Sequence, residues 1–302
     1  MYYTITIRPT TIRPTIRATI RMNLSHLAIA FFFAFIPAMG WLVLYYKKDA
    51  KDPEPKKAIA QTFLVGIAMV IPFIFLRHVM TWLHLSPFFL SGLSGTIIFA
   101  LMEETAKLSA AIFVVTRHRL EFNQLIDGVV YAVTAALGFA FMENLFYLSS
   151  FLSGDLHGGN FIYVVAFRSL GTMLAHTLFS GLAGLIWAYA YFSKQITPFS
   201  KKHLLTFELK DLINYEILSL HIIRQNILKA RPSRRGGHEK KILVLEGMML
   251  ATFLHVIFNL STTLELFGRN LTFIAVPGII GGFLYMSYLF TKKLNTKILK
   301  VV

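Results

Sequence analysis

The sequence predicts an all-α, polytopic membrane bundle of about seven transmembrane helices. Three observations carry that expectation. Hydrophobic residues make up 55% of the 302-residue chain, and the mean hydropathy is +0.60. Charged residues make up 15%, against about 25% in soluble domains. The apolar residues gather into long runs, each close to the roughly 20 residues that cross a bilayer as a helix.

Residues 1–21 repeat threonine, isoleucine, arginine and proline at short period. Pro9 and Pro14 argue against a helix there. This stretch is expected to be a disordered basic tail, or sequence ahead of a native start at Met22. Residues 22–302 are expected to form a single membrane domain. Its first span covers about 23–46, followed by the polar segment KKDAKDPEPKK at 47–57. The second span covers about 58–82, and an apolar link with Pro87 leads to the third, about 93–115. The fourth covers about 125–151, the fifth about 161–191, the sixth about 242–267 and the seventh about 271–290. Between the fifth and sixth lies a basic segment, 193–241. Within it, 204–228 has apolar residues at three- and four-residue steps, which suits a helix on the membrane surface or on the ends of the bundle.

Net charge is +15. In a membrane protein this reflects basic loops on one side, and no nucleic-acid partner is expected. Segments 47–57, 117–119, 193–241 and 292–302 hold 22 of the 30 Lys and Arg. The positive-inside rule places those segments in the cytoplasm, with the N-terminus outside. Four of the five basic residues on the opposite side, Arg8, Arg13, Arg17 and Arg21, lie in the N-terminal repeat. There is no cysteine, which excludes disulfides, a thiol nucleophile, thiolate-ligated zinc and iron–sulfur clusters.

The third span carries Glu103, Glu104 and Lys107 near its middle. Charges at that depth cost a few kcal/mol each on insertion scales, so they need partners or a role. Lys107 follows Glu103 by four residues and Glu104 by three, and on a helix it reaches back to either. Further polar residues lie in other spans: Glu143 and Asn144 in the fourth, Arg168 and His176 in the fifth, His255 and Asn259 in the sixth. At about 1.5 Å of rise per residue, Glu103 lies roughly 15 Å from the external face, Glu143 about 12 Å, His176 about 22 Å and His255 about 18 Å. Four polar groups on four helices therefore fall in one slab and can converge on an internal cavity.

A carboxylate pair can activate water, because crowding raises the pKa of one member. A histidine and an asparagine on one helix face can stabilise an oxyanion. That set suits hydrolysis of an acyl or peptide bond. The same residues, His176, His255, Glu103 and Glu143, offer zinc ligands. No HExxH signature is present. Buried acids and histidines also suit a proton-coupled transporter, although no internal repeat or broken helix points to one. A scaffold in which the polar groups only hold helices together is the bland alternative.

The motifs resemble one family in combination. EExxK at 103–107, GFAxxEN at 138–144, Arg168 with His176, HxxxN at 255–259 and Asp-Pro-Glu-Pro at 52–55 resemble the PrsW family of intramembrane proteases. The resemblance spans residues 32–290 and leaves out the N-terminal repeat. The family is similar to a wider group that includes CAAX prenyl endopeptidases and bacteriocin-processing enzymes. The resemblance implies a multi-pass protease of the bacterial cytoplasmic membrane. It implies cleavage of membrane-anchored protein substrates, of the site-1 anti-sigma-factor type that serves envelope stress responses. By position, Glu103 and Glu104 match the paired glutamates, one of which would activate water. His176 matches the essential histidine, and His255 with Asn259 matches the oxyanion pair of the wider group. Lys107 and Glu143 depart from the CAAX pattern, which has arginine and histidine there. Arg168 is expected as an ion-pair partner for a glutamate, and Asp127 as an interfacial or capping residue.

Overall fold

The computed structural model describes residues 24–48, 52–83, 92–154, 160–192, 236–263, 265–266, 269–270 and 272–292. The N-terminal repeat and the stretch 204–228 lie outside the described residues, as do the side chains of Arg77 and His78.

Helices occupy the places of all seven expected spans. The first is α1, Leu24–Lys48, which continues through Pro37. Ala30, Ala34 and Ala38 recur at four-residue steps on its buried face, while Phe31, Phe32 and Phe33 are exposed. The second expected span is two helices, α2 (Lys56–Ala68) and α3 (Val70–Trp82), interrupted at Met69. Pro72 accounts for the break: it has no N–H for the carbonyl of Ala68, and its ring crowds that carbonyl. Next come α4, Gly92–Val115, and α5, Leu125–Leu152. The fifth span is compound: α6 (Phe161–Ala166), a π-helical turn (Phe167–Thr172) and α7 (Met173–Phe192). The Asn160 side chain caps its start by accepting from the Ile162 amide at 2.9 Å. The sixth span, α8, is Gly236–Thr263. It stops short of the expected end near residue 267, where a two-residue antiparallel pair, β1 (Glu265–Leu266) with β2 (Arg269–Asn270), takes over. The last helix is α9, Thr272–Lys292.

Among the described residues, five stretches can cross a membrane by length and composition: Leu24–Lys47, Lys56–Leu76, Leu125–Leu152, Phe161–Phe192 and Lys240–Thr262. Helix α4 is long enough at 24 residues but carries three charges. In α9 the apolar stretch is the shorter Val276–Tyr285.

Helix α5 is the axis of the bundle, packed by α1, α2, α4 and α7. Its small residues let neighbours approach closely, as small-residue interfaces do in membranes. A Cβ on Gly138 would run into the Phe63 carbonyl, and one on Gly66 into the Ala135 carbonyl. Gly128 and Gly184 meet in the same way where α5 crosses α7.

Polar contacts tie the loops at one end. Gln124 donates to Asp52 at 3.3 Å, the Tyr131 hydroxyl donates to Glu54 at 2.7 Å, and His118 meets Gln61 at 2.7 Å. Lys240 donates to the Tyr191 carbonyl at 3.0 Å. His26 and Ser153, at 3.4 Å, mark the opposite end. Asp127 does cap α5: its carboxylate accepts from the Gln124 amide at 2.6 Å and from the Asn123 amide at 2.7 Å.

Candidate active site

Packing brings together six of the residues singled out in the sequence, from four helices. Adjacent residues on a helix point about 100° apart, so Glu103 and Glu104 are both buried only because α4 is flanked by α5 on one side and α8 on the other. Lys107 is 0% exposed and lies one turn below. Its Nζ is 2.8 Å from Glu104 Oε1 and 3.9 Å from Glu103 Oε2. Of the two reaches open to it, the three-residue one closes. The same Nζ is 2.7 Å from His176 Nδ1 on α7 and 5.1 Å from the centre of the Phe139 ring on α5.

Glu104 is held from three helices. Its Oε1 takes Lys107 and, at 2.8 Å, His255 Nδ1 from α8. Its Oε2 accepts from the Ser180 hydroxyl of α7 at 2.8 Å. A carboxylate can only accept, so His255 carries its hydrogen on Nδ1. Its Nε2 then faces Glu103 Oε2 at 3.6 Å. The rings of His176 and His255 stand nearly perpendicular, with centroids 5.2 Å apart.

Toward the edge of the cluster, His176 Nε2 is 3.1 Å from Glu143 Oε2. Glu143 is the most open acid of the set, its side chain 37% exposed. Arg168, from the π-helical turn, approaches Glu143 Oε1 at 3.3 Å and donates from Nε to Asn144 Oδ1 at 2.6 Å. Its guanidinium lies 4.4 Å from the centre of the Tyr147 ring. The partner expected for Arg168 is therefore Glu143 and neither member of the α4 pair. The π-helical turn is itself held by Trp41, whose Nε1 donates to the Ser169 carbonyl at 2.9 Å. Such turns widen a helix locally and recur at functional sites. Asn259 follows His255 by one turn and is half-buried.

Ser180 was missed in the sequence, although it lies four residues after His176 and shares its helical face. Trp41 and Tyr147 were also missed. No local pattern links Trp41 to a turn 128 residues away.

Among the described residues, Glu103, His176 and His255 offer donor atoms that all lie within 4.8 Å of one another. Two histidines and a carboxylate form a zinc donor set with a fourth position open. A second carboxylate stands behind each ring, Glu104 behind His255 and Glu143 behind His176. Metal-binding histidines commonly have such partners. The donor chemistry therefore fits a metal ion. Glu143, also a candidate ligand from sequence, takes the outer position.

Comparison with known proteins identifies relatives of the chain. A family profile described as "PrsW family intramembrane metalloprotease" matches residues 54–207, which include every site residue from Glu103 to Ser180 but not His255. A protein named Protease PrsW from Geobacillus kaustophilus is 31% identical over 159 residues, 52% of this chain and 64% of its own length. Its namesake from Bacillus subtilis is 30% identical over 159 residues, 52% of this chain and 66% of its own. The chain thus spans just under two thirds of these two relatives. A third, from Oceanobacillus iheyensis, is 30% identical over 232 residues, 76% of this chain and 93% of its own. No solved structure matches. A profile covering half the chain, a relative matched almost end to end and the motifs gathered in one buried cluster lead to one conclusion: the chain belongs to the PrsW family.

Proposed function

We propose that this protein is an endopeptidase of the bacterial cytoplasmic membrane that cuts membrane-anchored protein substrates with a water activated by Glu103. The observation that carries this reading is the division of labour between the two glutamates. Glu104 has both oxygens committed to Lys107, His255 and Ser180. A carboxylate held by three donors orients its neighbours and is a poor base. Glu103 lies at longer range from these two groups, 3.6 Å from His255 Nε2 and 3.9 Å from Lys107. A water between Glu103 and His255 Nε2 would meet two acceptors at once, as a water about to lose a proton does.

Substrate would enter past the Glu143–Arg168 edge, where the cluster is most open. His255 would pass the proton on, and Asn259 would lend a hydrogen bond to the developing oxyanion. Glu143 fixes the His176 ring, and Arg168 fixes Glu143. A metal ion held by Glu103, His176 and His255 would replace that route: it would supply Lewis-acid polarisation of the water and carbonyl, with Glu103 and His255 as ligands in place of their proton-transfer roles. Substrates of the anti-sigma-factor type are what the family resemblance implies.

The test is co-expression with tagged single-span substrates. Glu103→Gln should abolish cleavage in protein that still runs as a folded species on gel filtration. Uncleaved substrate with every variant, wild type included, alongside proton-coupled flux in vesicles, would overturn the reading in favour of a transporter. Loss of cleavage on chelation, with recovery on adding zinc, would assign His176 and His255 as ligands.

A further inference from the structure

We propose that Lys107 is the resident cation of this site and an internal competitor for any metal ion that binds there. The inference rests on the residues of the proposed site but not on their proteolytic role. It begins with hydrogen-bond direction. An ammonium can only donate and a carboxylate can only accept. The Lys107 ammonium, 2.7 Å from His176 Nδ1, therefore holds that nitrogen's lone pair. Glu143 Oε2, 3.1 Å from Nε2, takes the ring's hydrogen. Both nitrogens of His176 are committed.

A metal ligand needs a bare lone pair. His255 presents one: its Nδ1 hydrogen goes to Glu104, and Nε2 faces Glu103. His255 is thus ready to bind, while His176 is held by Lys107. A metal ion that takes His176 must first displace the ammonium.

Charge argues the same way. The cluster holds three carboxylates, Glu103, Glu104 and Glu143, against two cations, Lys107 and Arg168. Arg168 is committed to the outer edge, with Glu143 and Asn144. Lys107 alone sits among the inner donors, its ammonium kept there by the face of Phe139. Without it, Glu103 and Glu104 would lack their inner counter-ion, and a divalent cation would be the natural replacement in a site shielded from water.

The experiment uses the full chain in detergent micelles or lipid nanodiscs. Zinc affinity is measured by competition with a chromophoric chelator. Lys107→Met should bind zinc about tenfold or more tightly than wild type. Lys107→Arg, which keeps the charge, should show no gain. Adding His176→Ala to Lys107→Met should remove the gain. If Lys107→Met does not fold, Lys107→Gln carries the same expectation. Zinc binding that is unchanged or weaker in the charge-removing variant would overturn the proposal. The outcome is separable from proteolysis. Unchanged zinc affinity together with cleavage lost in Glu103→Gln would sink the competitor and spare the protease. Tighter zinc binding with cleavage intact in Glu103→Gln would do the reverse.

Discussion

At the scale of single residues, the site is a set of buried ions whose partners decide their roles. Ser180 is the clearest case. Its hydroxyl is one of three donors on Glu104 and holds Oε2 at 2.8 Å. Ser180→Ala should leave Glu104 free to rotate and lower cleavage by about 10- to 100-fold, the usual cost of losing an outer-shell partner. Ser180→Thr, which keeps the hydroxyl, should recover part of that loss. The kcat at saturating substrate reads the effect, since a purely structural serine would change the amount of folded protein and not kcat. Lys107 is different, because it is wholly buried. Removing one partner of a buried ion pair costs about 3–5 kcal/mol. Lys107→Ala should therefore lower thermal stability as well as activity.

At the scale of elements, two devices place these residues. The first is the π-helical turn. Its extra residue rotates α6 relative to α7 and carries Arg168 to Glu143 while His176 stays on the inner face. Deleting Leu170, which is 63% exposed, should turn the π turn into ordinary α-helix. Helix α6 buries no residue of its own, so the fold should survive. Arg168 would swing by about 100°, and cleavage should fall to background while gel filtration stays normal. The second device is close helix packing at α5. Gly138→Ala would push a methyl group into the Phe63 carbonyl, and overpacking of this kind costs about 1–3 kcal/mol. Gly40→Ala has open space around it and should stabilise by up to about 1 kcal/mol through helix propensity. Thermal unfolding in detergent should shift in opposite directions for the two.

At the scale of the whole molecule, the described helices form a bundle around α5. From the charge count, the Gln124 and Asp52 end is expected to face the cytoplasm. The absence of native cysteine makes this testable without background labelling. Leu120→Cys is at a position 92% exposed and should react with a membrane-impermeant maleimide only after cells are opened. Ser153→Cys, at the other end, should react in intact cells. The reverse pattern would invert the topology.

The sequence by itself determined the helical segments, because apolar run length and helical periodicity are local properties. Five of the seven expected spans match their helices to within a few residues. The exceptions are instructive: Pro72 breaks the second span, and the hairpin at Glu265–Leu266 shortens the sixth. The sequence also marked the ionisable residues that need partners inside the bundle, since a buried Glu103 or His176 is costly wherever it packs. Tertiary structure alone decided the pairings. Glu104 and not Glu103 takes Lys107 most closely, Glu143 and not the α4 pair takes Arg168, and Ser180 joins at all. These contacts bridge residues far apart in the chain or turn on differences of an ångström. They follow from how α4, α7 and α8 sit against α5, and helix packing is set by close-fitting surfaces that no single stretch of sequence contains.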